Sequence, residues 1–255
     1  LEDAQRGSAT GAEGSGLVRT ELLFGQQSQA PSRDQQCAAL VEIGRAMPGH
    51  SITVRTWDVG GDKPLPFLEQ AEELNPFLGE RGLRTMRRVP DFFHEQLMGV
   101  ALASREVDLR LMFPMVTEPD EMAWARECAL KAIAEAGVDP FPIGMMIEVP
   151  AAALRASEFA ELVDFVSIGT NDLTQYTTAT DRGNGLVSHL ARSNSAGVLT
   201  LMQMTCQQLP HVPVAVCGDL ASAPEMVSTL IEMGISELSA RPAMVGRIKQ
   251  AVRAV

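Results

Sequence analysis

The sequence predicts an α/β fold: a TIM-type (β/α)8 barrel that lacks its first strand in this chain. Three observations carry the prediction. Short β-branched strand patterns alternate with amphipathic helical patterns, the signature of parallel βα units. The chain has 255 residues, and it holds about seven such units, close to the eight that close a barrel in roughly 250 residues. No GxGxxG follows the first strand, which argues against the dinucleotide-binding form of the competing doubly wound sheet.

The elements follow in order. The acidic and small residues before Gly16 read as the end of a helix, so the missing strand is expected to precede residue 1. SGLVRTELLF (15–24) reads as a strand, SRDQQCAALVEIGRAM (32–47) as a helix and SITVRTWD (51–58) as the next strand. A Gly- and Pro-containing stretch covers 59–82. Helical pattern resumes at 92–104, and DLRLMFPM (108–115) is a strand. The segment 118–137 has helical periodicity, acidic residues in its first turn and Gly137 at its end. Strands are expected at 142–150, 163–170, 212–218 and 235–240, with helices at 151–162, 195–209, 223–234 and 244–252. No repeat or strong domain boundary interrupts 1–255, which reads as a single domain.

The strand ends carry the chemistry. In a barrel every C-terminal strand end faces one mouth, so polar residues there converge from distant parts of the sequence. Here they are Arg19 with Glu21, Arg55 with Asp58, Glu148, Asn171 with Asp172, and Cys217. Each has a plainer reading. An arginine late in a strand can pair with a rim carboxylate. Glu148 can cap the helix that follows it, and Asn171 and Asp172 can form a turn with an N-cap. A cysteine ending an apolar strand is usually a small buried hydrophobe, and the methionines read as core filler. The four histidines have no metal-ligand spacing. Taken jointly, several charges at unrelated strand ends would be costly to bury unless they serve one another or a ligand. Two carboxylates without His or Cys ligands suit a hard cation such as Mg²⁺, and arginines suit phosphate or carboxylate. The pattern points to an anionic small molecule chelated to Mg²⁺, with a thiol placed to move a proton.

Composition bounds the rest. Hydrophobic residues make up 45%, enough for a substantial core, and no apolar run approaches the roughly 18 residues of a membrane span. The net charge of −11 argues against nucleic acid or an anionic membrane as main partner. Cys37, Cys128, Cys206 and Cys217 show no CxxC spacing and read as reduced thiols, which favours the cytoplasm.

The stretches GLVRTELLF, TVRTWDVGGDKPLP, NPFLGERGLR, RLMFPM, GMMIEVPAAA, DFVSIGTNDLTQYTTATDRGN and VAVCGD run in order from about Gly11 to Lys249. Through them the chain resembles the phosphoenolpyruvate-binding barrel of enzyme I of the bacterial sugar phosphotransferase system, and equally the corresponding part of multiphosphoryl transfer proteins. DFVSIGTNDLTQY followed by Arg182 is specific to enzymes using phosphoenolpyruvate; TWDVGGDK with NPFLGERGLR narrows the match to the enzyme I branch. The resemblance implies phosphate-holding roles for Arg19, Arg55 and Arg182 and a substrate contact for Asn171. It further implies Mg²⁺ ligation by Glu148 and Asp172, charge neutralisation by Lys63 and Arg81, and proton exchange at the substrate C3 carbon by Cys217. It implies a phosphoryl acceptor histidine on a separate N-terminal domain, transfer onward to a phosphocarrier protein, and a homodimer. The TSH-type motif of that N-terminal domain is absent, so the chain is expected to be a fragment of a larger enzyme.

Three positions depart from the family pattern: Asp219 stands where Glu is usual, ARSNSAGVL follows SHL, and Thr178 replaces an aliphatic residue. Two other functions stay open: a Mg²⁺-dependent lyase or aldolase acting on pyruvate-like substrates, and a catalytically silent module that senses phosphoenolpyruvate.

Overall fold

The structure, a computed structural model, describes residues 1–61 and 63–255; Asp62, inside the GGDK stretch, lies outside the described residues. Seven parallel strands form one sheet in sequential order, β1 Ser15–Arg19, β2 Ile52–Arg55, β3 Leu109–Phe113, β4 Ile143–Ile147, β5 Val166–Gly169, β6 Val214–Cys217 and β7 Glu237–Leu238. Sequential parallel pairing with a helical crossover at each step is the winding of a barrel. The sheet curls until its ends approach. A methyl group at Gly16 of β1 would lie 2.7 Å from Ser239 Cβ beside β7, and Arg110 of β3 reaches Glu237 of β7 at 2.8 Å. The predicted barrel one strand short is therefore the fold observed.

The helices are α1 Glu2–Ala9, α2 Thr20–Phe24, α3 Arg33–Arg45, α4 Leu83–Arg88, α5 Pro90–Ala103, α6 Pro119–Ala136, α7 Pro150–Leu154, α8 Thr170–Thr178, α9 Ala196–Gln208, α10 Val227–Glu232 and α11 Val245–Val252. Local signals fix several ends. Ser32 caps α3 through a reciprocal box with Gln35, Glu121 accepts from the Glu118 amide at 3.0 Å at the start of α6, and Gly137 closes α6 in the left-handed conformation. The β2–β5 strands are buried along their lengths apart from Arg110, because helices cover the outer face of the sheet and side chains fill the interior.

Strand lengths differ from expectation. The 15–24 strand stops at Arg19, and TELLF is the short helix α2. Its apolar run imitates a strand, but Thr20 donates to the Arg55 carbonyl at 3.1 Å and turns the chain out of the sheet, leaving Leu22 66% exposed. The 151–162 helix is α7 followed by a 3₁₀ segment, Ala156–Leu162. Within the 59–82 stretch a 3₁₀ turn spans Pro76–Leu78, and α4 follows it.

Behind the mouth, buried polar and aromatic groups lock the strand ends together. Gln96 of α5 accepts from the Trp57 amide at 3.0 Å and donates to Thr20 Oγ1 at 3.1 Å. Trp57 is fully buried against Phe24, Phe67 and Phe92, with ring centroids 5.5–6.2 Å apart. Replacing Gln96 with methionine leaves the Trp57 amide and the Thr20 hydroxyl short of a partner. Urea denaturation is expected to show a loss of about 1–3 kcal/mol.

Candidate functional site

A cavity of about 1130 Å³ opens at the C-terminal ends of the strands and continues along the gap between β1 and β7. Arg19, Arg55, Lys63, Glu148, Asn171, Asp172, Arg182 and Cys217 all line it. Eight of the nine residues to which the resemblance gives a role thus share one cavity. Arg81 lies behind its wall, fully buried.

The cations are held by a carboxylate hub. Asp58, three residues after Arg55 and fully buried, accepts from Arg81 Nε at 2.9 Å and Arg81 Nη2 at 3.0 Å, lies 3.1 Å from Arg55 Nη2, and pairs with Lys63. Burial pushes the Asp58 carboxyl up, but Arg55, Arg81 and Lys63 outweigh it and hold the group well below the ordinary carboxylate range. Glu21 adds a second buried carboxylate, 2.5 Å from Arg55 Nη2. Burial opposes the charge on Arg55, yet Asp58, Glu21 and Glu148 prevail and raise its pKa. The result leaves donors on Arg55 open. Nε is buried without a protein partner among the described residues, and Nη1 meets only Met146 Sδ at 3.7 Å. Arg19, exposed at the end of β1, makes no ion pair among the described residues. These groups are placed to receive an anion.

Arg81 is differently committed. Nε and Nη2 hold Asp58, while Nη1 donates to Asp172 Oδ1 at 2.7 Å and to the Tyr176 hydroxyl at 3.2 Å. It reaches the cavity only through the carboxylates it fixes. Arg182 lies 3.4 Å from Asp172 Oδ2. Burial raises the Asp172 pKa less than Arg81 and Arg182 lower it, so Asp172 stays ionised.

Glu148 is the opposite case. Burial first, then the charges of Asp172 and Asp58, push its carboxyl up to about 7. It accepts from the Met115 amide at 2.8 Å. Its other oxygen lies where Gly169 has no side chain; a Cβ there would sit 2.8 Å away. Two carboxylates close enough to repel in a buried mouth fit a divalent cation, which would relieve that repulsion. Among the described residues no cluster of three or more His, Cys, Asp or Glu is arranged to hold a metal. A cation held there would take two hard oxygen ligands from Glu148 and Asp172 and the rest from ligand oxygens and water, a donor set that suits Mg²⁺. Gly169→Ala is expected to push Glu148 aside and weaken the binding of a divalent cation at the mouth more than tenfold; calorimetric titration with Mg²⁺ checks it.

Asn171 and Asp172 are not a turn, as the plainer reading had it: the last strand residue, Gly169, leads directly into the first turn of α8. That helix start is tied to β6. Thr170 donates to the Cys217 carbonyl at 2.8 Å, and Asn171 Oδ1 accepts from the Asp219 amide at 3.0 Å. Asp219 makes this contact through its backbone, and the residue is exposed, so its departure from Glu leaves the contact intact. Gly218, at φ 86°, is required here: a Cβ would come within 2.4 Å of Thr170 Oγ1. Cys217 is buried with Met112, Met146 and Phe165, and its thiol lies 3.5 Å from the Ile168 carbonyl. Burial raises its pKa to about 11, so it carries its proton at neutral pH.

Strand-end reasoning picked out Glu21 and Asp58 but gave them no role. Tyr176 stood in the quoted signature without one, and Gln96 carried no signal.

The sequence model of "PEP-utilising enzyme, PEP-binding domain" matches residues 1–255. The phosphoenolpyruvate-protein phosphotransferase of Geobacillus stearothermophilus is 40% identical over 246 residues, covering 93% of this chain and 43% of that protein. The multiphosphoryl transfer protein of Rhodobacter capsulatus is 41% identical over 245 residues, 95% of this chain and 30% of that protein. The phosphoenolpyruvate-protein phosphotransferase of Haloferax volcanii is 40% identical over 253 residues, 95% of this chain and 45% of its own length. The chain spans less than half the length of these curated relatives. It belongs to the PEP-binding domain family of the PEP-utilising enzymes.

Proposed function

We propose that the mouth binds phosphoenolpyruvate with Mg²⁺ and passes its phosphoryl group to a histidine on a separate domain, releasing pyruvate. This would be the first step of a sugar phosphotransferase system, continued through a phosphocarrier protein. The observation that carries the reading is the convergence of unpaired arginine donors, two buried carboxylates and a protonated thiol in one cavity.

Phosphoryl transfer needs positioning and charge stabilisation more than covalent help from the protein. Arg19, Arg55 and Arg182 hold the phosphoryl oxygens, and Lys63 neutralises the rim beside Asp58. Asn171 orients the ligand. Glu148 and Asp172 would hold the Mg²⁺, which when bound offsets negative charge on the ligand oxygens. Arg81 acts from behind by fixing Asp58 and Asp172. Cys217, neutral at pH 7, donates its proton to C3 of the enolate that remains, giving pyruvate.

No described helix is long and apolar enough to cross a membrane, and all four cysteines are free, which fits a reducing cytoplasmic setting. Homodimerisation through this domain belongs to the same proposal.

The test is a titration of the chain with phosphoenolpyruvate, with and without Mg²⁺, followed by addition of a phosphohistidine domain from the family. Mg²⁺-dependent binding is expected, with pyruvate appearing only after the domain is added. Condensation of pyruvate with an aldehyde would contradict this and favour a lyase. Binding without turnover in the mixture would favour a sensing module.

A further inference from the structure

We propose that Phe77 and Tyr176 form a latch that positions Arg81 behind the wall of the mouth and Arg182 within it. The proposal rests on the reading of that mouth as a phosphoenolpyruvate site. Neither residue touches the ligand; both are positioning residues.

The latch begins with helix spacing. Asp172 and Tyr176 are four residues apart on α8, so they share a face, and both meet Arg81 there. The Tyr176 hydroxyl accepts from Arg81 Nη1 at 3.2 Å and donates to the Phe77 carbonyl at 2.5 Å. Burial raises the phenol pKa, so the proton needed for the second bond is retained. One oxygen thus ties the 3₁₀ turn Pro76–Leu78 to α8 and to Arg81.

The Phe77 ring completes the arrangement. The guanidinium carbons of Arg81 and Arg182 each lie 5.9 Å from its centroid, within reach of a cation–π attraction. Asp172 contacts the same two arginines, Arg81 at 2.7 Å and Arg182 at 3.4 Å. Two like charges so placed repel each other unless negative density faces them. The carboxylate supplies some and the ring face supplies more. The ring uses the room that Gly61, at φ +64°, leaves free: a Cβ there would lie 3.2 Å from Phe77 Cδ1 and crowd it.

The test compares Phe77→Leu, Phe77→Tyr and Tyr176→Phe with the parent chain. Phosphoenolpyruvate affinity is measured with Mg²⁺ present, and thermal unfolding is measured alongside. Phe77→Leu keeps bulk but loses the π face; Phe77→Tyr keeps both. The Leu variant is expected to bind about tenfold more weakly and the Tyr variant within about twofold of the parent. Tyr176→Phe is expected to lose about five- to tenfold. Melting temperatures of the two Phe77 variants are expected to agree within about 2 °C. A purely structural role would weaken the variants in step with their stability and would not separate Leu from Tyr.

A second readout needs no ligand. The side-chain Nε–H resonances of Arg81 and Arg182 should carry a ring-current shift in the parent, keep it in Phe77→Tyr and lose it in Phe77→Leu. Parent-like binding by Phe77→Leu, equal weakening by Leu and Tyr, or unchanged arginine resonances would each overturn the latch. A parent chain that shows the resonance shifts but takes no phosphoenolpyruvate with Mg²⁺ would instead overturn the reading of the mouth, and with it the ligand assigned here.

Discussion

Asp58→Asn is expected to remove about 3–5 kcal/mol of folding stability and with it most ligand binding. Breaking a buried ion pair costs this much because the surviving charge stays buried and uncompensated. Here one carboxylate faces three cations, Arg55, Lys63 and Arg81. Asparagine keeps the shape but offers one neutral acceptor where two charged oxygens stood. Glu21 still pairs with Arg55 and Asp172 with Arg81, so the network loosens rather than vanishes. Against a total stability of about 5–15 kcal/mol, the loss is large enough to read by urea denaturation.

The same group sets the sign of a pH dependence. Its folded pKa is depressed, so its contribution is fully present above the unfolded value of about 3.9 and is lost as pH falls below it. Asp172 behaves likewise. Glu148 runs the other way. Raised to about 7, it takes up a proton on folding at intermediate pH, so its contribution falls as pH rises from about 4.5 to 7. Asp58→Asn should therefore flatten the acid limb of stability below about pH 4, and, because it removes one of the charges that raise Glu148, it should also make the slope between pH 5 and 7 shallower. An unchanged acid limb would mean that the cations do not depress Asp58.

The second large effect is chemical. Cys217→Ala is expected to slow pyruvate release about 10²–10⁴-fold in the mixture with the phosphohistidine domain. Phosphoenolpyruvate affinity should stay within about twofold of the parent. The neutral thiol packs among Met112, Met146 and Phe165 while Asp58 and Glu21 hold Arg55, so its loss leaves the anion-binding groups where they are. With its pKa near 11 the thiol remains a proton donor across pH 6–9, and the rate of the protonation step should show no inflection from Cys217 in that range. Stopped-flow detection of pyruvate over this range checks both points. Normal turnover by the alanine variant would remove Cys217 from the proton step.

The fold and the gathering of these residues in one cavity were largely legible in the sequence, for a physical reason. Barrel strands run parallel and end at one face, so residues at the C-terminal strand ends share a mouth whatever their separation in sequence. Arg55, Glu148, Asp172 and Cys217 obey that rule. Element ends were less legible. Apolar TELLF reads as strand by composition, while a single hydroxyl, Thr20 Oγ1, bonded to the carbonyl of Arg55 helps turn it into a helix. The internal wiring was least legible. Asp58 carries no local sign that Arg81 folds back onto it, and the Arg81–Asp172 and Tyr176–Phe77 contacts join residues 91 and 99 positions apart. Strand periodicity places side chains at a mouth, but which cation takes which carboxylate depends on loop paths that periodicity does not specify.

One measurement bears on the whole account: a crystal structure of the chain grown with phosphoenolpyruvate and Mg²⁺. The prediction is density in the mouth with the phosphoryl group against Arg19, Arg55 and Arg182 and the metal against Glu148 and Asp172. A phosphoryl group seated elsewhere, or a metal that engages neither carboxylate, would contradict it.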